Sequence, residues 1–420
     1  MMMMMTRNMM RLRTKWTLLM GVLILAVLAP GAAGQCQYEV MIIQAEECPP
    51  YGYPPTTGAG LNETGDVVGY YKYCVIGPYV PFLWTAETGM IDLPLPPGSY
   101  EARASDINDA GVIVGSMTHN DLGFRGFVYE DGEYAVLSPV IPDAGWSGAS
   151  AINNDGTVVG YRSIAEDVNP YNAFIWSAEE GFTDLGVMEG PYSSAFDVSD
   201  AGAVVGWTGS VSPGDEGFVW KNGDVVILGP IPGGVSSTAR AVNAREQVVG
   251  SGAFEVGKGR ALSAEAFIWE RGMWTMMGQV PGYDYSTGHD INDVGQAVGR
   301  AGRLDDPGDR VAFLWQHGSL QNLNDLALLE AGFTIERTFA INNAGQIVAD
   351  GQTPTNSTIT FLLTPIDPPR GDVDLDCNVN ITDLLFLLGE WGRTDSPADI
   401  NDDGIVNVPD LLILLGDWGS

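Results

Sequence analysis

The sequence predicts an all-β fold, a seven-bladed β-propeller, followed by a small α-helical unit. Three observations predict it: a turn motif recurring seven times at intervals of 44 to 50 residues, an aromatic motif downstream of six of those turns, and two acidic twelve-residue loops near the C-terminus. Composition agrees. With 54 glycines and 25 prolines in 420 residues, 45% apolar and 17% charged, the chain is rich in turns and still has matter for a core. At this length two folded regions are expected.

The turn copies read "LNETGDVVG", "INDAGVIVG", "INNDGTVVG", "VSDAGAVVG", "VNAREQVVG", "INDVGQAVG" and "INNAGQIVA", with the turn residue at Asn62, Asn108, Asn153, Ser199, Asn243, Asn292 and Asn342. An apolar residue, an Asn or Ser able to bond its own backbone, and a Gly able to take positive φ specify a type I turn with a bulge, leading into a strand. One copy replaces the Gly, with Glu246. Backbone geometry accounts for the seven turn residues, so no catalytic role is assigned to them.

A third strand carries two aromatic residues spaced by two, as in "FLW" at 82, "FVY" at 127, "FIW" at 174, "FVW" at 218, "FIW" at 267 and "FLW" at 313. That spacing places both rings on one face of a strand, where packing between neighbouring sheets is the expected use. A fourth strand follows, as in "MIDLPL" and "FTDLGV". Four strands every 44 to 50 residues is the period of propeller blades. The seventh unit runs into "IDPPRG" without a fourth strand, while "YEVMII" at Tyr38 to Ile43 precedes the first turn. This N-terminal strand is expected to complete the last blade and close the ring. An open solenoid is the alternative.

If that strand is outermost, the strand ending in the turn residue is innermost and lines a channel. Asp106, Asp197 and Asp290 then lie near the axis, alternating with Ala151, Ala241 and Ala340, and Arg240 and His289 precede two of these positions. These five polar residues are the candidate ligand pocket of the propeller, and bonding of the carboxylates to strand ends is the competing structural reading.

The repeated "A-x-x-IN-x-x-G-x-VVG" and "AFxW" portions resemble the bacterial extracellular repeats called HAF repeats, over about residues 36–366. The His that precedes "AF" in that family is absent from every copy. The resemblance implies architecture rather than activity, with the propeller taken as residues 35–366.

Residues 1–34 place Arg7, Arg11, Arg13 and Lys15 before an apolar run from Trp16 to Ala29 and then small residues. That order is a secretory signal, and the 14-residue run is shorter than the roughly 20 needed to span a bilayer. A secreted protein, extracellular or attached to a cell surface, is expected, with no membrane insertion after cleavage. Removing the segment leaves 16 basic against 53 acidic residues, a formal charge of −37. Nucleic acid is a poor partner for such a surface. Four cysteines are too few for a disulfide framework; Cys48 with Cys74 is the favoured pairing, and Cys377 is expected to be free.

After a short linker, 367–370, the C-terminal region 371–420 contains "DVDLDCNVNITD" and, 27 residues later, "DINDDGIVNVPD". A calcium loop of twelve residues needs oxygen ligands at positions 1, 3, 5, 9 and 12 and a backbone carbonyl at 7. The first loop supplies Asp372, Asp374, Asp376, Asn378 through its carbonyl, Asn380 and Asp383, with Cys377 where the sharp turn prefers Gly. The second supplies Asp399, Asn401, Asp403, Ile405 through its carbonyl, Asn407 and Asp410, with Gly404 at the turn. The look-alike "DINDAG" and "DINDVG" in the propeller lack the later ligands, so they serve hairpins instead.

Each loop leads into an apolar segment, "LLFLLGEWG" or "LLILLGDWG". Together these units resemble a type I dockerin, which implies two calcium ions and attachment to a cohesin-like domain or another cell-surface protein. Partner choice in that family involves loop positions 10 and 11, here Ile381 with Thr382 and Val408 with Pro409. The usual hydroxyl pair is missing from the second loop.

No catalytic residue is assigned, because the sequence holds no nucleophile elbow, zinc-helix motif or phosphate loop, and only three histidines. The expected function is a non-catalytic binding or scaffold protein whose propeller recognises a polysaccharide or a protein surface. The alternative is a polysaccharide-degrading enzyme, glycoside hydrolase or lyase, carried on the dockerin-like module.

Overall fold

The computed structural model describes residues 38–47, 53–74, 77–137, 145–163, 171–185, 191–209, 215–256, 261–316, 318–366, 371, 373, 379–394, 396, 398–401 and 403–418. Residues 1–34, read in the sequence as a secretory signal, the expected linker 367–370, and Cys36, Cys48 and Cys377 lie outside these residues. The chain divides into two compact units, one spanning Gln37–Ile366 and the other holding Asp367–Ser420.

The larger unit contains seven four-stranded antiparallel sheets. In six of them the strands follow chain order; the first sheet runs Thr56–Leu61, Val67–Lys72, Tyr79–Thr85 and Gly89–Asp92. The seventh is made of Thr334–Ile341, Ile347–Gln352 and Thr358–Pro365, and its outer position is occupied by Tyr38–Ile43. That pairing is in register from Tyr38 opposite Pro365 to Ile43 opposite Thr360. The first strands of neighbouring sheets touch one another around the whole ring, including Thr56–Leu61 against Thr334–Ile341. They are therefore innermost, and the unit is a seven-bladed β-propeller.

The two repeated motifs turn out to be halves of one contact. In every blade the residue that ends "VVG" lies directly opposite the first aromatic of the third strand: Gly69 faces Phe82, Gly115 faces Phe127, Gly160 faces Phe174, and so on to Ala349 facing Phe361. The glycine makes room for the inner strand as well as the ring, since a Cβ at Gly69 would lie 2.1 Å from Thr57 O and 2.8 Å from Phe82 Cζ. All seven phenylalanines are fully buried. The clusters they join are shared between neighbours, as where Val114 and Val128 of one blade meet Ala149, Val158 and Phe174 of the next. Burial of such a ring is worth roughly 2–3 kcal/mol. Blade packing is thus the main cohesive term.

Each hairpin closes as the motif requires, with Gly65 N–H donating to Asn62 O at 3.1 Å and Asn62 N–H to Asp66 O at 3.2 Å. Gly65 has φ of 86°, and Glu246, which replaces the glycine in one copy, is held at 63°. One element was not foreseen, the short helix α1 at Leu323–Leu326 between the sixth and seventh blades. Its turn buries Leu323 and Leu326, and the Asn324 amide pairs with both backbone groups of Ile335.

In the smaller unit, helices α2 (Ile381–Gly389) and α3 (Val408–Gly416) start alike. The carboxylates of Asp383 and Asp410 accept the N–H of Asn380 and Asn407 at 2.8 Å each. Val379, Leu387, Ala398, Val406 and Leu414 form the core. Among the described residues, no helix is long and apolar enough to cross a membrane. Cys74 is disulfide-bonded.

Candidate functional site

The channel has two unlike ends. At the turn end, six turn asparagines do more than shape their own hairpins: Asn62 Nδ2 donates to Asn108 O at 3.3 Å, Asn108 to Asn153 O at 3.1 Å, and Asn153 to Ser199 O at 3.2 Å. The series resumes with Asn243 to Asn292 O, Asn292 to Asn342 O, and Asn342 back to Asn62 O at 3.1 Å. A second circle lies outside it. In six of the seven blades the backbone N–H of the residue after the turn position donates to the side chain of its counterpart in the next blade, as from Glu63 to Asp109 and from Asp109 to Asn154; Asp200, whose counterpart is Ala244, is the exception.

These residues enclose a cavity of about 290 Å³ lined by Glu63, Asp106, Asp109, Asp197, Asp200 and Asp293 among others, and by no Lys, Arg or His. Of the sequence-derived pocket residues, Asp106 and Asp197 line this cavity; Asp290, Arg240 and His289 do not. The three aspartates span blades. Asp106 accepts Ile152 N–H at 2.9 Å, Asp197 accepts Val242 N–H at 2.8 Å, and Asp290 accepts Ile341 N–H at 2.7 Å. The smaller residue in the alternating position leaves room, since a Cβ at Gly60 would lie 2.7 Å from the Asp106 Cα.

Because the channel wall desolvates them, the Asp106, Asp197 and Asp290 carboxyls are pushed up to about 8, 6 and 7. Repulsion by Asp197 adds to the shifts of Asp106 and Asp290. His289 moves the other way, to about 3, through burial and the nearby positive charges of Arg240, Arg300 and Arg337. Its ring nitrogens contact Thr338 O at 2.7 Å and Thr287 Oγ1 at 3.2 Å. So the aspartates group with acids toward the turns, while Arg240 and His289 group with bases.

All seven innermost strands carry a register skip at the same residue, three before the turn position. The skipped residues are Ala59, Ser105, Ser150, Phe196, Arg240, His289 and Phe339. A bulge re-aims its side chain. This column and the acidic column after the turn residue are both readable by aligning the repeats, yet neither announces its partner in the next blade.

The acidic loop before α3 is described apart from its position 4. Both Asp410 oxygens accept backbone N–H groups, of Asn401 at 3.1 Å and Asn407 at 2.8 Å, and Asp410 is fully buried. Asp399 accepts from Asp403 N–H and Gly404 N–H, with Gly404 at φ of 93°. The Asp403 carboxylate and the Ile405 carbonyl converge on the Asn407 side chain. This all-oxygen donor set, folded back on itself, suits a hard cation such as calcium. Among the described residues no group of three or more His, Cys, Asp or Glu is placed to hold a metal ion; asparagine and carbonyl oxygens must complete any such shell. In the first loop Asp383 is likewise buried and accepts Val373 N–H at 2.9 Å, whereas Asp372, Asp374, Asp376 and Asn378 lie outside the described residues.

No family model matches the chain, and no curated protein matches it. Solved structures do match in fold. The β-propeller domain of the trilobed protease from Pyrococcus furiosus aligns with 13% identity over 73% of this chain and 95% of that one, at a TM-score of 0.49. TolB from Acinetobacter baumannii aligns at 8% identity over 78% and 97% of the two chains, with a TM-score of 0.38. At these identities the likeness concerns the fold alone.

Proposed function

We propose that the chain is a secreted, non-catalytic binding or scaffold protein. Its HAF-like propeller recognises a polysaccharide or protein surface, and its dockerin-like module attaches it, with calcium, to a cohesin-like domain or another cell-surface protein. One observation carries this reading. Each helix, with the tryptophan just past its end, exposes a duplicated apolar stripe: Ile381 and Val408 are 50% and 54% exposed, Leu385 and Leu412 62% and 63%, Leu388 and Leu415 49% and 48%, and Trp391 and Trp418 44% and 45%. Each pair is separated by the same 27 residues as the two acidic loops. A contiguous apolar stripe kept exposed twice over on so small a unit calls for a partner.

In this reading two calcium ions are held by Asp372, Asp374, Asp376, Asn378, Asn380 and Asp383, and by Asp399, Asn401, Asp403, Ile405, Asn407 and Asp410. Calcium would neutralise the loop carboxylates and supply folding free energy to the helices. Calorimetric titration of the whole chain with calcium should show two binding events. Asp410→Ala should remove one of them, and a stoichiometry unchanged by this substitution would defeat the assignment. Capture of a cohesin domain only in calcium, lost on Leu385→Asp with Leu412→Asp, would support the docking role; calcium-independent capture would count against it. The enzyme alternative needs a carboxylate pair facing His289 or Arg240. The acidic cavity contains neither residue.

A further inference from the structure

The end of the channel away from the asparagine turns collects positive charge in a chain that has 53 acidic and only 20 basic residues. Arg240 occupies a bulge position and is exposed, yet burial and Arg300 together lower its pKa. That combination fits a side chain standing inside an enclosed channel. Among the described residues, Arg240 and Arg300 make no ion pair, and the Arg300 Nε is buried without a hydrogen-bond partner. Arg337, by contrast, is matched by Asp350 at 3.2 Å. The channel aspartates do not neutralise these two arginines, being committed to backbone amides on the turn side.

An aromatic ring accompanies the charges: the Arg240 guanidinium lies 5.5 Å from the Phe196 ring centroid, and Phe196 is only partly buried. The buried Arg300 Nε is costly to leave without an acceptor, and a flat ring beside Arg240 offers an apolar platform next to an unpaired guanidinium.

We propose that this end of the channel binds a short anionic sugar, the uronate- or sulfate-bearing end of a glycan, through Arg240 and Arg300 with the Phe196 ring against its apolar face. The proposal rests on the reading of the propeller as a recognition domain and names its ligand class. A long polyanion is disfavoured, because beyond a Debye length of about 8 Å it would meet the acidic remainder of the molecule. A chain end carrying one or two charges reaches only the arginines.

The test is calorimetry on the intact chain with digalacturonic acid, its dimethyl ester, a sulfated disaccharide and sodium sulfate. We expect the acid or the sulfated sugar to bind more tightly at low salt, and the ester to bind at least about tenfold more weakly. Arg240→Gln and Arg300→Gln should each weaken binding by about tenfold or more, whereas Asp224→Asn, on an outer strand, should not. If either arginine variant fails to fold, the salt dependence of the wild-type affinity and the ester comparison still decide. Equal binding of acid and ester, or of sulfate alone as well as of either sugar, overturns the site. Neutral glycans binding indifferently to Arg240→Gln would also overturn it while leaving the recognition reading intact. No glycan bound at all would overturn both, and the calcium titration stands apart from either result.

Discussion

Asp106, Asp197 and Asp290 illustrate how a single residue type serves structure at a cost that depends on pH. Each folded-state pKa is raised, to about 8, 6 and 7, by burial in the channel wall. The unfolded chain therefore releases these protons near pH 4, while the folded chain holds them until higher pH. Their contribution to stability is full below about pH 4 and is lost as pH rises through the folded values. His289 has the opposite sign: with its folded pKa depressed to about 3, it favours the folded state as pH rises toward 6.5. Three carboxyls outweigh one imidazole. The propeller's thermal midpoint should thus be higher at pH 5 than at pH 8, and Asp290→Ala, which copies the Ala found in alternate blades, should flatten that slope. A midpoint that rises steadily over the same interval would contradict the assignment.

At the scale of elements, the strand Tyr38–Ile43 offers the sharpest test. Ile43 is 1% exposed, packed with Val67, Phe82, Val348 and Leu362 across the first and last blades. If the strand latches the ring, Ile43→Ala should destabilise the propeller by about 2–4 kcal/mol in denaturant unfolding, as other core truncations do. A loss under about 0.5 kcal/mol, typical of surface positions, would mean that the strand only decorates the edge. The strands themselves were legible because turn chemistry and period-two patterning are local. The Gly–Phe contact was half legible: both motifs stood out in the sequence, but their opposition depends on register. The helix α1 was not legible, since "NLNDLALL" has no repeat counterpart and is stabilised by Asn324 bonding to Ile335 in the next strand. Nor did the sequence separate the channel residues into two ends, because Asp290 and His289 are adjacent and only the bulge between Gly288 and Asp290 divides them.

The whole ring contains one seam. The asparagine circle links every neighbouring pair of blades except the fourth and fifth, because Ser199 is too short to reach across and instead accepts Ala203 N–H at 3.2 Å. The outer circle fails at the same interface, where Ala244 stands in the position that supplies Asp109, Asn154, Asp200, Asp293, Asn343 and Glu63 elsewhere. Only the Asp197 bond to Val242 N–H remains of this set. Away from the turns this interface is held by Lys221 with Glu246 and by Ser237 Oγ accepting Gly217 N–H at 2.9 Å, but on the turn face it is the least bonded joint of the ring, so that face should separate here first. Ser199→Asn would extend an amide toward Asn243 O, and Ala244→Asp would place a carboxylate to receive the N–H of Asp200. A buried neutral hydrogen bond is worth about 1 kcal/mol, and one to an exposed carboxylate somewhat less after screening. The double variant should therefore gain about 1–2 kcal/mol and, because the joint opens before the rest, slow amide exchange most in the strands Val204–Gly209 and Thr238–Val242. Uniform protection across all seven blades, or none, would show that the ring opens elsewhere.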